Sequence, residues 1–182
     1  MASRPTVYPV FGALEDLILA VLRDYFKDRD DVHIYDRYSE GMDLPAVVPL
    51  SANRAGMVAY QTPEDSWARS GIIELNTFAD GPNRDIVASQ LQEACRHAIY
   101  EAFFKQTDYP GLGVINKVSN SNYSRPEGDW ATTTHAVQYA RLPNSVTRYE
   151  ARYRLLIRPS KTYSNPFLSV PEGANKGSSE LP

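Results

Sequence analysis

The chain reads as an α+β domain: a two-layer sandwich in which two helices cover one face of a mostly antiparallel sheet of five to six strands. Three observations predict it. Two stretches repeat their apolar residues at helical spacing, the other apolar segments are short and strand-like, and the last link is a tight turn rather than a crossover. Helices with one apolar stripe each bury those stripes against a common sheet face, which separates the two layers.

The elements follow in order. Leu14, Leu17, Ile18, Val21, Leu22, Tyr25 and Phe26 recur on one helical face, with Glu15, Asp16, Arg23, Asp24 and Lys27 turned away. Asp28-Arg29-Asp30-Asp31 forms a polar boundary. Val32 to Tyr38 reads as a strand and Leu44 to Ser51 as a second, with a turn at Glu40–Asp43 between them. Pro45 and Pro49 make that second strand an edge or an irregular one, because proline donates nothing to a ladder. Asn53 to Trp67 has no period and is too long for a tight turn, the mark of a functional or mobile loop. Gly71 to Phe78 is again a strand. Ala79–Asn83 stops it and opens the second helix, where Pro82 or Asn83 suits a first turn whose amides are unpaired anyway. That helix carries Ile86, Val87, Leu91, Ala94, Cys95, Ala98, Ile99, Ala102 and Phe103 to about Gln106, and Tyr109-Pro110-Gly111 closes it.

Val114–Val118 is a short strand and Ser119–Asp129 a polar loop. Trp130–Arg141, rich in Thr, Val and aromatics, then predicts a hairpin partner for the strand from Thr147, joined through Leu142–Val146. In that last strand Arg148, Glu150, Arg152 and Arg154 take one parity, and Tyr149, Ala151, Tyr153, Leu155 and Ile157 take the other. Such alternation predicts a half-buried strand with a charged outer row. From Ser160 onward nothing is periodic. Residues 1–159 therefore form the domain and 160–182 an extension, flexible or ordered on assembly, with Tyr163, Phe167, Leu168 and Val170 as its possible anchors.

Composition bounds the function. The chain has 182 residues and 42% hydrophobic content, enough for one packed domain without disulfide or metal staples. Mean hydropathy is -0.43, and no run has the apolar length of a membrane span, so no membrane partner is expected. No secretory h-region follows Arg4, and the single cysteine fits a reducing cytoplasm. Net charge is -3, which argues against a nucleic-acid binder held by phosphate contacts. Yet Arg141 to Lys161 holds six basic residues and one acid, Glu150, leaving -8 for the rest. That row is either a solvated strand face or a surface for a neighbouring subunit.

Chemistry-bearing patterns are absent. His33, His97 and His135 are scattered, and Cys95 and His97 lie two apart on a helix, so no metal site is expected. Cys95 falls in an apolar stripe and reads as a small buried hydrophobe. Asp28, Asp30 and Asp31 lack the glycine and closing glutamate of a calcium loop. No phosphate loop or nucleophile elbow occurs. The expectation is a non-enzyme with no catalytic, metal or cofactor residues. The competing class, a small ligand-binding or enzymatic α+β domain, would draw on His135, Thr133 and Glu74. Trp67, Trp130, Tyr163 and Phe167, in segments that read as loops or tail, point instead to an interaction protein, since such aromatics favour interfaces.

Two stretches carry a resemblance. Glu74-Leu75-Asn76-Thr77-Phe78-Ala79 enters the second helix. Leu142-Pro143-Asn144, then Thr147-Arg148-Tyr149-Glu150-Ala151-Arg152-Tyr153-Arg154 and Ile157-Arg158-Pro159, form the last hairpin. Together with the element order from Leu14 to Pro159, they resemble the tail terminator proteins of long-tailed, siphovirus-type bacteriophages of actinobacteria. The resemblance implies a virion protein of the tail or neck, assembled in the host cytoplasm as a homo-oligomeric ring, commonly a hexamer. Such a ring binds the major tail tube protein, stops tube polymerisation and docks to the head-completion or connector protein, while DNA passes through its lumen without specific binding. Another neck component, a head-completion or connector-stopper protein, is the near alternative. The interface residues expected on this reading are Arg148, Arg152, Arg154, Trp67, Trp130, Tyr163 and Phe167. The basic row would face a neighbouring subunit or the lumen.

Overall fold

The computed structural model describes residues 12–39, 41–51, 68–120 and 145–160, together with the backbone of two short strands at 58–59 and 125–126. The elements run α1 (Leu14–Tyr25), β1 (His33–Ile34), β2 (Ala46–Ser51), β3 (Val58–Ala59), β4 (Arg69–Ala79), α2 (Arg84–Lys105), β5 (Val114–Asn120), β6 (Arg125–Pro126) and β7 (Thr147–Arg158). The sheet has the order β1-β2-β4-β7-β5, with β3 attached to β4 and β6 to β7. Among the described strands only the β1–β2 pair is parallel. This is the α+β arrangement expected, with both helices on one face.

The helix-side core follows from the apolar periodicities. Leu14, Leu17, Ile18, Val21 and Leu22 of α1 and Leu91, Cys95, Ala98, Ile99 and Ala102 of α2 close over Val47, Ile73, Leu75, Ala151, Tyr153, Leu155 and Ile157. Two positions of α2 depart from the expected stripe. Ile86 is 59% exposed, whereas Gln92 is buried and meets the hydroxyl of Thr77 at 3.2 Å. Thr77 also donates to the Ala88 carbonyl at 2.9 Å, so a polar pin fixes the start of α2 on β4. Polar groups buried this way must be mutually satisfied, which sets the register of helix on strand.

Pro49 explains the shape of β2. The carbonyls of Pro45 and Val47 accept from His33 and Tyr35 of the β1 segment, so odd-numbered backbone groups of β2 face that edge. The proline's missing amide falls on the same edge, beyond the point where β1 ends. β2 is therefore internal at Ala46–Val47 and an edge at Pro49–Ser51, where Glu15 of α1 accepts from the Ser51 amide at 3.0 Å.

The last strand differs from the expected hairpin. β7 pairs with β4 over eleven of its twelve residues, from Ala79↔Thr147 to Arg69↔Ile157. Its other edge pairs with β5 at 153–158 and β6 at 149–150. Trp130–Arg141, the expected partner, lies outside the described residues. Turn chemistry suggested a local pairing, but β4 offers an eleven-residue ladder from 68 to 88 positions earlier in the chain, and β5 and β6 occupy the other edge at 153–158 and 149–150.

Candidate functional site

The sheet face turned away from the helices carries the unusual chemistry. Register places its side chains in rows across β4, β7 and β5. Ser70, Leu156 and Lys117 form one row; Ile72, Arg154 and Ser119 form the next; then come Glu74 with Arg152, Asn76 with Glu150, and Phe78 with Arg148. Side chains directly opposite lie about 5 Å apart at Cβ, so each row is a contact set.

The lower rows form an ionic ladder. Arg148 Nη2 donates to Glu150 at 3.0 Å, Arg152 Nε reaches Glu150 at 2.9 Å and Glu74 at 3.0 Å, and Asn76 donates to Glu74 at 3.3 Å. Glu74, Asn76, Glu150 and Arg148 are all buried. Their enclosure comes partly from a second apolar cluster on this face, Val48, Phe78 and Val146, with Tyr35, Tyr38, Met42, Leu44 and Leu50 packed on it. The segment after β1 thus folds over the face that alternation left to solvent.

This breaks the expected charged outer row. Arg148, expected in that row, is enclosed within its own chain and paired with Glu150 rather than set out on the surface. Reversing its charge would bury a carboxylate beside Glu150 and threaten the fold, not just assembly. Arg152 is about a third exposed, and Arg154 is exposed. Alternation gave the correct parity; what lay above that parity was invisible to it. Trp67, Trp130, Tyr163 and Phe167 lie outside the described residues, as do His135 and Thr133. Glu74, the remaining candidate of the enzymatic alternative, is engaged by Arg152 and Asn76.

The upper rows open into a polar pocket of about 440 Å³ lined by Ser70, Asn116, Lys117, Ser119, Arg154 and Leu156. Sequence reading missed it because Lys117 shares parity with Ile115, which is buried on the helix side. A β-bulge between Ile115 and Lys117 inserts Asn116 and re-aims the lysine: Ile115 pairs with Ile157, but Lys117 pairs with Leu156. Gln106, left-handed at the end of α2 with φ 48°, holds this point by donating to the carbonyls of Phe103 at 2.7 Å and Ile115 at 3.1 Å. A lysine at an apparently inward position was the available signal of the bulge.

Elsewhere the chemistry is quiet. Burial pushes the Cys95 thiol well above its ordinary range, so it is protonated at neutral pH. Among the described residues no group of three His, Cys, Asp or Glu could hold a metal, and no helix is long and apolar enough to cross a membrane. On the outer side of α2 Phe104 is 74% exposed beside a half-buried Tyr100, whose ring lies under Arg96.

No family model and no curated protein matches the chain. Among solved structures, a chain from the virion of the native gene transfer agent particle superposes with a TM-score of 0.42 at 13% identity, covering 84% of this chain and 99% of that one. At that identity and score the likeness assigns no role.

Proposed function

We propose that the protein is a non-catalytic structural component of a phage virion, a ring that caps the tail tube, ends its polymerisation and joins it to the head connector. The observation that supports this best is the relation of the two stretches that resemble tail terminators. Glu74–Ala79 is the second half of β4 and Thr147–Arg158 is β7, and the two are adjacent strands paired from Glu74↔Arg152 to Ala79↔Thr147. Segments distant in the chain that carry one resemblance thus form one structural unit with a shared ionic ladder. The α+β layering and the element order agree with the same reading.

A head-to-tail contact whose rotation closes gives a finite ring, and a ring seated on the last tube layer removes the surface that the next tube subunit needs. The net charge of -3 suits a lumen that must let DNA pass without gripping it. Gene deletion followed by electron microscopy tests the reading. Filled heads beside unattached tubes of uncontrolled length are expected. Tails of normal length with heads that leak DNA would refute it in favour of a head-completion role.

A further inference from the structure

The pocket on the outer face of β4, β7 and β5 holds two exposed cations. Lys117 and Arg154 make no ion pair among the described residues, and both are exposed. They stand diagonally across the β5–β7 ladder, Lys117 opposite Leu156 and Ser119 opposite Arg154, a residue separation of about 7–8 Å and somewhat less at Cβ. The carboxylate of Glu74, one row from Arg154 and two from Lys117, is already bonded to Arg152 and Asn76. Two like charges are therefore held close together beside Ser70, Asn116 and Ser119, polar side chains that can complete the shell of an oxyanion. The placement is built rather than incidental, because the Asn116 bulge turns Lys117 away from the core and Gln106 ties that bulge to α2.

We propose that this pocket receives carboxylates from a second copy of the chain, supplied by Asp28 and Asp30 in the turn after α1. This rests on the ring reading above and names one of its contacts. Asp28 and Asp30 are exposed and make no ion pair among the described residues, whereas their neighbour Asp31 is held by Arg29 and Asp24 by Lys27. The two features cannot meet within one molecule. The acidic turn leads into β1 at one edge of the sheet and the pocket lies at the β5 edge, four strand spacings or about 19 Å apart. Complementary patches on opposite edges join copies head to tail, the geometry that closes into a ring. Arg148 and Arg152 on the same face are neutralised by Glu150 and Glu74, which leaves a small footprint for DNA, whose affinity scales with the number of phosphates neutralised.

Charge exchange with readout by light scattering and sedimentation at low salt tests the proposal. The wild type should associate. Lys117→Glu with Arg154→Glu, and separately Asp28→Lys with Asp30→Lys, should each weaken association at least about tenfold, equivalent to about 1.4 kcal/mol, with thermal melts unchanged because all four residues are exposed. Mixing the two double variants should restore association in alternating order, since every contact in the mixture again pairs opposite charges. Failure of the mixture to assemble overturns the proposal, as does normal assembly of either variant. Loss of binding to a fluorescent 20-base-pair duplex in the Lys117/Arg154 variant, with self-association intact, overturns it in favour of nucleic acid. A wild type that stays monomeric removes the ring reading as well; a wild-type ring with an indifferent pocket removes this contact alone.

Discussion

Glu150→Ala is the most direct test of the ionic ladder. Glu150 accepts from Arg148 at 3.0 Å and from Arg152 at 2.9 Å, with its own side chain 6% exposed and that of Arg148 0%. A hydrogen bond to a charged group contributes about 1.5–3 kcal/mol. Removing one partner of a buried pair costs about 3–5 kcal/mol, because the surviving charge remains desolvated. Arg152 keeps Glu74 and partial access to water, so the loss falls mainly on Arg148. The expected destabilisation is about 3–5 kcal/mol, a large part of the total stability of about 5–15 kcal/mol typical of a domain. For a chain of this length Tm should fall by about 6–20 °C. Urea unfolding should show a lower midpoint with the slope unchanged. High salt should not reduce the difference, since screening acts on exposed pairs such as Arg29–Asp31 and hardly on an enclosed one. Combining Glu150→Leu with Arg148→Met removes both enclosed charges and should recover much of the loss. A cost below about 1 kcal/mol for Glu150→Ala, or a double variant no better than the single, would refute the reasoning.

Two further substitutions or treatments probe the frame that holds the pocket and the core. Gly113→Ala should cost more than Gly41→Ala, although both positions have positive φ, at 131° and 80°. A Cβ at 113 would lie 2.6 Å from the Arg158 carbonyl in the paired strand, whereas one at 41 meets nothing. The expected losses are about 3 kcal/mol or more against about 1 kcal/mol, read from thermal melts. Cys95 should resist an aromatic disulfide reagent at pH 8 in the native protein and react only as fast as the core opens, because burial keeps its thiol protonated. Rapid native labelling at one equivalent per chain would contradict its placement.

The sequence alone determined the elements that depend on local periodicity. α1 was legible because Leu14, Leu17, Ile18, Val21 and Leu22 repeat at helical spacing, and all five are buried. The inward parity of β7 was legible for the same reason, since Ala151, Tyr153, Leu155 and Ile157 are core residues. Periodicity encodes which residues share a face, but it carries no information about what lies over that face. Only the tertiary structure decided that the far side of β7 is enclosed at Arg148 and open at Arg154: Phe78, opposite Arg148, belongs to an apolar cluster on which Tyr35, Tyr38 and Leu44 pack from more than a hundred positions earlier. Partner choice was equally non-local: β7 joins β4, whose register match extends over eleven residues. The Lys117 pocket was hidden for a third reason. One inserted residue, Asn116, reverses the parity of everything after it, and that reversal is set by the pairing of β5 with β7 rather than by either strand's own sequence.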